Sequence, residues 1–237
     1  MGERTRIWRY ASQTALAASA GVVLAPLLYR AGILGLAIAF LLLVVGFVLL
    51  TLISMAVLVS AVRTREFRGN RTVVSFVASA LVASVPLWTI LMARGAPAIH
   101  DITTDTVDPP QFVAAVSHNV PGRTDYEGEA IAMLQRAAYA DIQSLILADS
   151  PDAVFRRALA AVRGMGWALT VTDFDGYRIE ATDTTFWFGF TDDIVIRVRG
   201  EETGSRLDVR SLSRVGVGDM GANARRIREY LLSVEDE

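Results

Sequence analysis

His100-Asp101-Ile-Thr-Thr-Asp105, followed closely by Asp108, gathers an imidazole and three carboxylates in one short stretch. These are the donor types that hold a divalent cation and let it activate water. A calcium loop starting at Asp101 fails, because Thr106 stands where that loop needs Gly and Phe112 where it needs the bidentate Glu. What remains is a mixed metal site of His100, Asp101 and Asp105, set against an ordered strap whose Asp and Thr side chains bond their own backbone. A second pattern, Gly216-Val-Gly-Asp-Met-Gly221, matches G-x-G-x-x-G between a strand and a helix. Only 16 residues follow Gly221, too few for a returning parallel strand and its ribose carboxylate, so no dinucleotide is expected. A weaker form is a small-anion site at that helix N-terminus, with Arg214, Asn223 and Arg226 nearby and Asp219 opposing it. His100 and His118 are the histidines available to a serine nucleophile, but no G-x-S-x-G occurs.

Composition removes further chemistries. All 23 basic residues are Arg, so no phosphate-loop lysine, Schiff base or kinase lysine exists. The absence of Cys removes disulfides, thiolate metal sites and a cysteine nucleophile. No cofactor is identified by what is left.

The elements that must position these residues fall into two halves. Residues 1–93 carry 8 Arg and 2 acidic residues, whereas residues 94–237 carry 15 Arg and 23 acidic residues, a net charge of −8. Nucleic acid is therefore not an expected partner of the second half. Residues 10–29, 31–62 and 72–93 are free of charge, and each meets the roughly 20-residue requirement for a membrane-spanning helix. The expectation is a membrane domain over 1–94, with helices at about 10–29, 35–60 and 72–93, and a soluble domain over 95–237. Ser12, Gln13 and Pro26 dilute the first span, and the second is long enough to tilt or overrun the bilayer. Arg4, Arg6, Arg9, Arg63, Arg65, Arg68 and Arg71 lie on one side of this arrangement, against Arg30 and Arg94 on the other. The positive-inside rule then predicts a multi-pass inner-membrane protein with a cytoplasmic N-terminus and a periplasmic C-terminal domain. The bilayer is the first expected partner and an envelope protein the second.

In the soluble half, Ser150-Pro-Asp starts a helix with Val154, Phe155, Ala158, Leu159 and Val162 on one face. Strands are predicted at about 167–173, 177–185, 193–199 and 206–212, and a last helix at about 219–233, capped by Asp219. Met220, Ala224, Ile227 and Leu231 form its apolar face. The fold class is α+β: a two-layer domain with a four-stranded antiparallel meander flanked by helices. Arg178, Glu180, Arg197, Arg199, Asp208 and Arg210 then alternate onto a polar face that reads as a solvated ion-pair ladder. Four aromatics around Gly189, from Phe186 to Phe190, read as core with a bend, or else as an apolar pocket or membrane-facing rim.

Several motifs together resemble one family, the domain of unknown function family DUF1499. They are IHDITTD at 99–105, DPPQF at 108–112, QRAAYADI at 135–142, EATDTTFWFGFTDDIVIRVR at 180–199 and DVRSLSRVGVGDMGANARRIR at 208–228. The resemblance covers nearly all of the soluble half and implies an N-terminal membrane segment; Ala140 stands where many relatives carry Pro. It implies no reaction, but it directs attention to Asp192, Asp193, Arg210, Ser211, Arg214, Asp219 and Asn223 as ligand-binding candidates. The metal candidates His100, Asp101 and Asp105 also stand in its motif positions. The expected function is a membrane-anchored module that binds a protein partner or small ligand without catalysis. The alternative is a metal-assisted periplasmic hydrolase.

Overall fold

The computed structural model describes residues 3–64, 95–114 and 124–236, with positions 80, 81, 84 and 91 besides. Two compact units emerge, Met1–Met92 with Phe186–Gly189, and Ala93–Thr185 with Phe190–Glu237.

The first unit contains α1 (Glu3–Arg30) and α2 (Leu36–Thr64). Residues Leu36–Ala56 of α2 are long and apolar enough to cross a membrane, alone among the described helices. The uncharged run from 31 gives its first residues to a turn, and α2 still extends for 29 residues, beyond the apolar stretch that ends at Ala56. Small residues let the two helices approach closely: Ala15, Ala25 and Ala39 are buried, and a Cβ on Gly46 would lie 2.6 Å from Val22 Cγ2. Of the three expected spans, only the second is matched by a helix long and apolar enough to cross a membrane among the described residues. The third expected span, 72–93, lies outside the described residues except for isolated positions.

The second unit is an α+β domain. Its six strands are β1 (Asp101–Thr103), β2 (Leu145–Leu147), β3 (Ala168–Asp173), β4 (Arg178–Thr184), β5 (Thr191–Glu201) and β6 (Gly204–Ser213). They form one antiparallel sheet in the order β1-β6-β5-β4-β3, with β2 pairing the other end of β6. The expected four-stranded meander is therefore widened by two short strands that share one edge of β6. The helices are α3 (Glu129–Ala138), α4 (Pro151–Gly164) and α5 (Ala222–Asp236). Ser150 caps α4 by accepting from the Ala153 N–H, as its sequence predicts. At the β5–β6 turn only Gly fits, because a Cβ on Gly204 would meet the Leu147 carbonyl oxygen at 2.0 Å.

Alternation sorts the sheet residues between two faces. Ile179, Ile194, Ile196, Val198, Leu207 and Val209 meet Val154, Phe155, Ala158 and Val162 of α4 and Ala224 and Ile227 of α5 in the main core. Trp167 stacks on Tyr230 at 5.3 Å, and the Tyr230 hydroxyl donates to the Ala158 carbonyl at 3.0 Å. Met220 departs from the expected apolar face of the last helix: it precedes α5 and is largely exposed. The opposite sheet face is crossed by residues 104–114, a strap without regular structure that seats Phe112 on Val195 and Leu212.

Candidate functional site

The alternation that places Ile179 and Ala181 in the core also places Asp183 there, and the same parity carries Asp192 of β5 and Ser211 and Ser213 of β6. These polar positions collect at one end of the core face, under the start of α5. Arg226 enters from α5. Its Nη2 donates to Asp192 Oδ2 at 2.7 Å and Asp183 Oδ2 at 2.9 Å, and its Nη1 donates to Ser211 Oγ at 3.1 Å and to Asn223 Oδ1. Asn223 Nδ2 donates in turn to the His100 carbonyl at 2.9 Å and to Ser213 Oγ at 3.0 Å. Burial pushes the Asp192 carboxyl above its usual range, against the pull of the Arg226 guanidinium.

Asp219 fills the N-terminus of α5 with the chain's own carboxylate. Its Oδ2 accepts from the Asn223 N–H at 2.7 Å and its Oδ1 from the Gly221 N–H at 2.8 Å. The glycine-rich stretch thus leads into the helix through a turn that Asp219 caps. Arg214 grips Asp193 through both faces of its fork, at 2.9 and 2.7 Å. Of the seven ligand-binding candidates, Asp192, Ser211 and Asn223 share one network, Asp219 adjoins it through Asn223, and Asp193 pairs with Arg214. Arg210 points to the other face.

On that face the expected solvated ladder is corrected: Glu180, Asp208 and Arg210 are at most 1 % exposed, because the strap covers them. Arg210 donates to Asp101 Oδ1 at 2.9 Å and Oδ2 at 2.7 Å, and also to the carbonyls of Pro110 and Thr124. Its guanidinium lies over the rings of Phe112 and Tyr126, at 5.0 and 5.5 Å. Burial pushes the Tyr126 hydroxyl up to about 12, with the Asp101 carboxylate adding to the shift. Glu180 accepts from two successive strap N–H groups, Val113 at 2.6 Å and Ala114 at 2.8 Å. Arg197, Arg199 and Arg206 converge on Asp105 and Asp208, and Arg197 and Arg199 also reach Asp108.

The three metal candidates are placed apart in function. Asp101 belongs to Arg210 and Asp105 to the arginine trio, while His100 Nε2 lies 3.7 Å from Glu127. Among the described residues no group of three His, Asp or Glu side chains is disposed to hold a metal ion. Reading the sequence by motif missed Asp183 and placed Glu180 in water. The signal for Asp183 was present, since it continues the Ile179, Ala181 alternation into the core face.

The motifs that build both faces run from Asp101 to the end of α5, and residues 101–234 match the family described as "Protein of unknown function (DUF1499)". The chain belongs to this family. A comparison with curated proteins finds no match. The matched stretch holds nearly all of the domain that carries the two networks, while α1 and α2 lie outside it.

Proposed function

We propose that this DUF1499 protein is a membrane-anchored binding module whose C-terminal domain recognises a protein partner or small ligand without catalysis. The observation that carries this reading is the Arg226 network: one guanidinium tied to four side chains from three strands and a helix, which fixes a surface rather than freeing a reactive group. Where the network meets solvent it presents Asp183, 38 % exposed, while Asp193, of the opposite parity on β5, pairs with Arg214. A small zwitterion or a cationic side chain of an envelope protein would find a partner in the Asp183 carboxylate. The arginine distribution supports a multi-pass arrangement in the inner membrane with a cytoplasmic N-terminus and a periplasmic domain.

The test is thermal unfolding of the full chain in lipid nanodiscs against divalent metals, inorganic anions and small zwitterions. Ligand at a hundredfold excess over Kd adds about 2.7 kcal/mol to the native state, so the transition rises by several degrees. A rise with a zwitterion that Asp183→Asn abolishes supports the reading. Steady product formation from a pool of envelope metabolites overturns it. A rise with a metal that His100→Ala abolishes favours the hydrolase instead.

A further inference from the structure

Hairpin tips in water are built from small polar residues, because an exposed aromatic ring gains nothing there. The turn between β4 and β5 is the opposite: Phe186-Trp187-Phe188-Gly189, with Phe186 74 % and Trp187 49 % exposed. The base of the turn is closed. The Thr185 N–H donates to the Phe190 carbonyl at 2.8 Å, the Phe190 N–H donates to Thr185 Oγ1 at 3.0 Å, and the Thr184 and Thr191 hydroxyls bond at 3.0 Å. The expectation that this stretch is mostly core is corrected for Phe186 and Trp187.

Phe186–Gly189 belongs to the same compact unit as the N-terminal helices. Within that unit Phe188 stacks on Phe40 at 5.1 Å and tilts against Tyr29 at 6.0 Å. Arg30 Nη1 donates to the Phe186 carbonyl at 2.7 Å. Tyr29 and Arg30 end α1, and Phe40 lies in the second turn of α2, the helix that is apolar enough to span. Aromatic rings and an arginine at the ends of an apolar helix mark the depth at which headgroups meet acyl chains.

We propose that the β4–β5 turn is an interfacial anchor, seating Phe186 and Trp187 in the headgroup layer of the bilayer that α2 crosses. The occupant is lipid because the neighbours of the turn in its own unit are the end of α1 and the start of the apolar α2, and the tip itself carries no charge. This inference rests on the membrane reading above.

The test uses the full chain in phosphatidylcholine nanodiscs, with the emission of Trp187 isolated by subtracting the W187F spectrum from that of the unaltered protein. Lipids brominated near the headgroup end of the acyl chain should remove most of this difference emission, and aqueous iodide should leave it largely intact. Iodide quenching without bromolipid quenching overturns the anchor, and so does indifference to both, which means that protein covers the ring. Flotation of the chain with plain phosphatidylcholine vesicles separates the two failures. A chain that floats with Trp187 in water loses only the anchor, whereas one that does not float loses the membrane reading as well.

Discussion

The two faces of the sheet are covered in different ways, and the difference explains where the charges went. Helices α4 and α5 satisfy their own backbone groups, so they can meet the sheet with Val154, Phe155, Ala158, Val162, Ala224 and Ile227. The strap has no backbone ladder of its own. Its Asp105 accepts from the Val107 and Asp108 N–H groups, as expected of an ordered strap, and other backbone groups are satisfied by side chains that rise from the sheet: Glu180 takes the N–H of Val113 and Ala114, Arg210 serves the Pro110 carbonyl and Arg197 that of Asp108. Gln135 does the same for both backbone groups of Thr103 at the edge of β1. A polar sheet face under a loop is thus a structural requirement of the loop.

The largest break in this comparison is Arg210→Ala. It strands the buried Asp101 carboxylate together with two carbonyls and should cost about 3–5 kcal/mol in chemical denaturation. The double variant Arg210→Met with Asp101→Leu should recover part of that loss, since no buried charge is then left unpaired. Glu180→Gln comes next, at about 1–3 kcal/mol, because an amide offers one acceptor oxygen where two N–H groups converge. Hydrogen exchange should localise its effect to Val113 and Ala114. On the helix-covered face Asp219→Ala should cost only about 1 kcal/mol and loosen the first turn of α5, leaving exchange in the strap unchanged.

The smallest effect distinguishes two carboxylates, Asp105 in the strap and Asp192 under α5, by the sign of a pH slope. Burial acts to raise Asp105, but the N–H groups of Asp108 and Val107 and the arginines around it outweigh burial and hold it below the usual carboxylate range. Its contribution is complete above the ordinary value, and it drains away as pH falls toward the lower folded value. Asp192, raised by burial, has the opposite slope: its contribution is complete below the ordinary value and is lost as pH rises through the folded one. Acid titration of stability should therefore flatten in Asp105→Asn and steepen in Asp192→Asn.

Much of the fold was legible because its long elements carry strong periodic signals. The strand expected at 193–199 extends over Thr191–Glu201, and the helix after Ser150 is found with its cap. β1 and β2 were not legible, since three residues such as Asp101-Ile-Thr103 give alternation nothing to repeat, and their pairing is set by β6 far along the chain. In the site, the Arg214, Asp219 and Asn223 neighbourhood was readable from its turn and cap chemistry. The burial of Glu180 and Arg210 was not, because alternation assigns a residue to a face but says nothing about what lies over that face. The aromatic turn failed for a related reason: hydrophobicity reports a preference to leave water without naming the destination.

The clasp between Asp101 and Arg210 joins residues 109 positions apart. At a ribosomal pace of about 5–20 residues per second, the start of the domain waits roughly 5–20 seconds before the strand that completes it has been made. During that interval the strap has no sheet to lie on, and Ile99, Ile102 and Phe112, all buried in the finished domain, remain available to other surfaces. Vectorial synthesis therefore makes the first residues of the domain among the last to be secured, and any holding factor that attends its birth should find its binding segment there.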